Sequence, residues 1–222
     1  MNSRVLTLEA EAASAASLAR TGLTLLRNMG SQGDADPVLV CLSTAAEKML
    51  KLTIGLTALE TNREWPSKAE MQAFSHNILK LNAQAMAGIA TRIDDAVHPP
   101  VVWQAVKDSL EIEWTEPLLK ALANYGGGGR FYNLDSLAGA QQPHPSPPLL
   151  WWEMEIEILK RRPEVLESAD LKPSMVEARR PLNAHTARGF SSWWEFYFLA
   201  WRHGVIGGDA RALSTSIKLD AV

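Results

Sequence analysis

Cysteine is nearly absent from this chain: Cys41 is alone among 222 residues. A single thiol cannot form an internal disulfide, and it belongs to no CxxC pattern. It falls on an apolar helical stripe, so a small buried thiol is expected rather than a reactive nucleophile. No uninterrupted apolar run approaches the length of a membrane span. Positive charge is not in excess either. The formal net charge is −3, which excludes a global basic field for nucleic acid and leaves only local basic surface. Alternating β-branched residues, the mark of strands, are scarce. The opening, Met1-Asn2-Ser3-Arg4 and then alanines with two glutamates, has no signal-peptide pattern. The expectation is a reducing, cytoplasmic setting. No His/Cys/Asp/Glu cluster has metal-ligand spacing, so neither metal nor other cofactor is expected. The run Gly126-Gly127-Gly128-Gly129 lacks the Lys-Ser/Thr and the preceding strand of a phosphate loop.

What is present is helix. Leu8, Ala12, Ala15, Leu18, Leu25 and Met29 recur at helical spacing and predict a first helix over residues 6–29. Asp36-Pro37 reads as a cap plus first-turn proline, opening a second helix with Leu42, Met49, Leu52 and Leu56 on one face. Ser67-Lys68-Ala69-Glu70 is a capping box for a third. That helix either continues through Ile78 and Leu81 or restarts near Ser75, with His76 in the first turn. Pro99-Pro100 breaks the chain. A fourth helix carries Trp103, Val106, Leu110, Leu118, Leu122 and Tyr125, and Pro117 should kink or split it. Residues 130–148 look irregular and mark a boundary. Ser146-Pro147 opens a fifth helix, whose Glu153, Glu155 and Glu157 read as a solvated flank. Residues 163–181 read as a proline-punctuated connection. A helix over residues 186–203 is apolar nearly all round. Asp209 is a cap for a last helix through Leu213 and Ile217. The fold class is all-α: an antiparallel helical bundle over residues 1–135 with a helical extension over residues 146–222.

The order of motifs narrows this. Ala45-Ala46-Glu47-Lys48 with Lys51 lies on one helix. His76-Asn77-Ile78-Leu79 with Leu81 comes next, and Arg130-Phe131-Tyr132 follows a fourth helix. This series resembles the HEPN superfamily of small α-helical bundles. One branch often shows an A-x-E-K-x-x-K helix, an H-D-L-x-x-L helix and an R-Y-P loop. The match covers roughly the first 135 residues, and the C-terminal third lies outside it. The resemblance implies an RNA-associated protein of a prokaryotic defence or toxin–antitoxin system. It would be a metal-independent ribonuclease or a catalytically silent relative, commonly dimeric. It also makes Lys48, His76, Arg130 and Tyr132 candidates for binding.

Catalytic HEPN members carry arginine, a polar residue, a few more, then histidine. An arginine steadies phosphate charge, and a histidine moves a proton near neutral pH. Two stretches fit the spacing. Arg180 and His185 have four residues between them, with Arg179 adjacent and a helix following, and rank first. Arg92 and His98 have five, beside Asp94 and Asp95, and rank second. Pro181 and Ile93 stand where the family places its polar residue. Surface arginines beside an incidental histidine outweigh catalysis for both, so enzymatic activity stays open. The aromatic block with Trp193, Trp194, Tyr197 and Trp201 is core by default. A homodimer or protein-partner interface is the sharper reading, and base stacking is third. The alternative to an RNA-associated protein is a non-enzymatic helical interaction or assembly module using that block.

Overall fold

The computed structural model describes residues 3–142, 145–167 and 172–219. Its elements are helices and short 3-10 turns, with no strand among the described residues. α1 (Ser3–Arg27) buries Leu8, Ala12, Ala15, Ala19, Leu23 and Leu26. Its alanines let it lie close against α2 (Ala35–Asn62). The two run antiparallel: Glu11 meets Lys48 near one end, and Gly22 meets Leu42 near the other. α2 begins one residue before the expected Asp36 cap. The carboxylate of Asp34 accepts from the Ser31 amide and hydroxyl, both at 3.0 Å, and ties the connecting turn. Cys41 is half-buried rather than fully enclosed.

α3 (Lys68–Ala73) has the expected capping box. Glu70 accepts from the Ser67 amide at 2.7 Å, and the Ser67 hydroxyl accepts from the Glu70 amide at 3.3 Å. The chain then breaks, with Ser75 at φ 53°. α4 (Ile78–Ala90) restarts under an Asn77 cap, whose side chain accepts from the Lys80 amide at 3.0 Å. His76 therefore lies in the loop before α4, not in its first turn.

The expected fourth helix is two, α5 (Pro99–Leu110) and α6 (Thr115–Gly126). The break precedes Pro117, which sits in the first turn of α6, where a missing amide donor is harmless. Residues 130–148, expected to be irregular, contain α7 (Tyr132–Leu137). α8 (Pro147–Arg161) opens at Ser146-Pro147 as expected, and α9 (Pro163–Glu167) follows.

α10 (Met175–Arg202) corrects the expected start at residue 186 and passes straight through Pro181. Three contacts hold it on either side of the proline. Ser174 caps the Glu177 amide at 3.2 Å, Arg179 pairs with Glu155, and Asn183 donates to the Met29 carbonyl at 2.9 Å. Gly207, not Asp209, precedes α11 (Gly208–Leu213), and a 3-10 turn follows.

α4 and α6 lie on α2, while α10 packs against α1, α5, α6 and α8. α11 and the last turn close the end against α1 and α2. One hydrophobic cluster joins Leu8 to Ile217, so the C-terminal helices share the core of the bundle within the same chain. The aromatic block fills its centre: Trp194, Tyr197 and Trp201 are 0% exposed and Trp193 is 2%. Each polar tip has a partner, as buried Trp and Tyr require. Trp193 and Tyr197 donate to the Asn82 side-chain oxygen at 2.7 and 2.8 Å. Trp194 donates to the Ile217 carbonyl at 2.7 Å, and Trp201 to the Thr53 hydroxyl at 2.9 Å. The expectation of a partner surface made by these four residues is thereby corrected: they have no free surface to offer. Among the described residues no helix is long and apolar enough to cross a membrane.

Candidate functional site

The Glu47 and His76 motifs meet. The Glu47 carboxylate lies 2.9 and 3.0 Å from His76 Nδ1 and accepts from Lys51 Nζ at 2.7 Å. This follows from the geometry of α2: Glu47 and Lys51 are four apart and share a face, and the loop before α4 crosses that face. His76 also borders a cavity of about 450 Å³ with Lys120 and Asn124. The other three binding candidates are not gathered there. Lys48 turns to α1 and pairs with Glu11. Arg130 donates to the Gly126 carbonyl at 3.2 Å, satisfying the end of α6, and lies 6.0 Å from the Phe131 ring. The Tyr132 carbonyl accepts from Ser136 and Gln142.

The two Arg–His pairs sit in different surroundings. Arg180 and His185 are five apart on one continuous helix, which turns them about 140° from each other. Arg180 faces α1 across a groove. His185 packs edge-on to Trp114, with centroids 5.4 Å apart, and its carbonyl accepts from Trp114 Nε1 at 2.8 Å. Burial lowers the His185 pKa; Arg162 and Arg188 push the same way and Glu164 opposes them. In the second pair Arg92 donates to the Thr61 hydroxyl at 3.2 Å and lies 3.9 Å from Glu60. His98 sits edge-on to His203 at 5.4 Å. The His203 pKa is lowered by burial first, then by His98, Arg202 and Arg211.

One concave site was not expected from the sequence. It is a groove of about 780 Å³ between the C-terminal part of α1 and one face of α10. Arg180, Ala184, Arg188, Ser191 and Glu195 line it at three- and four-residue spacing, and Arg27 faces them from α1. No carboxylate lies within ion-pair distance of Arg27, Arg180 or Arg188 among the described residues. Small side chains at Ala184, Ala187 and Ser191 keep the floor open between the arginines. Burial raises the pKa of Glu195 at the far end, and Lys218 opposes the shift. The spacing signal was in the sequence. With Pro181 read as a break, Arg180 falls outside the helix, and the stripe is complete only because α10 runs through Pro181.

No group of three or more possible metal ligands occurs among the described residues. Comparison with protein-family models, with curated proteins and with solved structures gives no match to this chain.

Proposed function

We propose that this protein is a HEPN-like, RNA-associated helical protein of the prokaryotic defence or toxin–antitoxin kind, and a catalytically silent relative. The supporting observation is the α1–α10 groove. Three arginines without a carboxylate partner among the described residues line one concave surface of a chain whose net charge is negative. Guanidinium groups suit phosphate, and a local basic groove is what a phosphate chain requires. The meeting of Glu47 with His76 fits two packed helices of such a bundle. Silence is supported by the rotation of His185 away from Arg180 along α10 and by the engagement of Arg92 with Thr61 and Glu60, since proton transfer and phosphate stabilisation must converge on one substrate.

A second reading, a protein-interaction module, is favoured by one observation. Phe131, Leu134 and Leu137 are exposed on and beside α7. The buried block of α10 lends it nothing.

The test is anisotropy of a labelled single-stranded RNA across a salt series. Wild type should bind with a steep salt dependence. The triple variant Arg27→Ala/Arg180→Ala/Arg188→Ala should flatten the log–log slope by about 2, on the single-strand rule of ~0.7 per phosphate contact. No binding at low salt would sink the RNA reading. Metal-independent cleavage that disappears in His185→Ala or His98→Ala would sink the silent assignment.

A further inference from the structure

The α1–α10 groove has two chemically different ends. Arg188 and Glu195 both line it. They stand seven residues apart, so they share a face within about 20° and are separated by about 10 Å along the axis. Ser191 lies between them, and its Oγ is buried without a hydrogen-bond partner. Arg180 and Arg27 extend the positive end. Among the described residues Glu195 is the one carboxylate lining this groove, and no cation lies within ion-pair distance of it, although Lys218 is near enough to oppose its pKa shift.

α1 and α10 run in opposite directions. Gly30 approaches Val176, and Arg20 donates to the Lys218 carbonyl at 3.3 Å, near the Glu195 end. The arginine end therefore joins the C-terminus of α1 to the N-terminal half of α10. The carboxylate end lies two turns further along α10.

Phosphates of a strand suit the arginine end, but not the Glu195 end, where an ionised carboxylate repels them. A terminal nucleotide whose base reaches Glu195 suits both ends. Its phosphate needs cations, and its base edge, roughly two helical turns away (~10 Å), can offer N–H donors to an acceptor-only group. The bases differ at that edge. Guanine presents N1–H and N2–H side by side, and a carboxylate accepts both. Uracil has one N–H between two carbonyl oxygens, which a carboxylate repels. Adenine and cytosine each place an acceptor nitrogen beside the amine. The volume of about 780 Å³ falls in the range of small-ligand sites.

We propose that the groove selects a guanine nucleotide unit, with phosphate at Arg27, Arg180 and Arg188 and the guanine edge at Glu195. This rests on the RNA-associated reading and adds base selectivity to it. The unit is either a free 5′-nucleotide or the 5′-phosphorylated end of an RNA.

The experiment titrates the full chain with GMP, AMP, CMP and UMP, and with 5′-phosphorylated tetranucleotides differing only in the first base. Wild type should prefer guanine about tenfold, a modest value for a pair of charge-assisted hydrogen bonds. Preference with GMP assigns the free nucleotide, and preference only with tetranucleotides assigns the RNA end. Glu195→Gln should abolish the preference, Glu195→Asp should reduce it, and Arg188→Ala should weaken all ligands together. Circular dichroism checks that each variant is folded. Equal binding of all bases, or a preference that survives Glu195→Gln, overturns this inference and leaves the RNA reading standing. Absence of binding to every nucleotide and RNA overturns both.

Discussion

Glu155 and Arg179 form an ion pair between α8 and α10, with side chains 4% and 14% exposed. Trp151 Nε1 donates to the same carboxylate at 2.8 Å. Removing one partner leaves the other charged in a low-dielectric setting. Glu155→Ala or Arg179→Ala should each destabilise the fold by about 3–5 kcal/mol, while Glu155→Leu/Arg179→Met should be far milder. Urea denaturation of the three variants checks this, and equal losses would refute it. The glutamate trio looked like a solvated flank. Period two on a helix of 3.6 residues per turn cannot be one face: Glu153 and Glu157 share a side, and Glu155 points about 200° away from Glu153, into the core. At this scale histidine gives the pH dependence. Burial lowers the pKa values of His185 and His203, so the folded state takes up protons less readily than the unfolded chain. Their contribution is intact above the ordinary histidine value of about 6.5. It is lost as pH falls from there through the lowered folded values. The thermal midpoint should drop over that window, and His185→Asn should make the drop smaller. A midpoint that rises on acidification would contradict this.

At the scale of elements, α10 governs the molecule. It is long because both sides of Pro181 are anchored, and it can pack closely because of Gly189. A Cβ there would meet Trp114 Cδ1 at 2.9 Å and Nε1 at 3.0 Å. That indole is held by its bond to the His185 carbonyl and cannot retreat freely. Gly189→Ala should therefore cost about 1–3 kcal/mol by overpacking, although alanine favours helix. A gain in melting temperature would show that Trp114 yields. α3 and α8 were legible from their start signals, the Ser67–Glu70 capping box and the first-turn proline after Ser146. α10 was not, because a proline deletes one hydrogen bond, and whether the helix survives depends on contacts from Glu155 and Met29. α7 escaped for a related reason. Six residues have too little periodicity to separate helix from loop.

At the scale of the whole molecule, α10 and the last turns fill space that residues 1–135 leave open. A fragment of residues 1–135 should lack a cooperative thermal transition and bind hydrophobic dye, because it loses Phe190, Trp194, Tyr197 and Trp201 from its centre. Circular dichroism melting checks this, and a sharp transition would make that segment an independent domain. The sequence by itself determined the all-α class, since apolar residues at three- and four-residue spacing bury a surface only as helices. It also placed Glu47 and Lys51 on one face of α2, though not that Glu47 would meet His76. Tertiary structure decided the functional geometry. Rotation along α10 separated Arg180 from His185, and antiparallel packing of α1 on α10 brought Arg27 opposite Arg180, Arg188 and Glu195. Such groupings join residues far apart in the chain, so linear spacing carries no record of them.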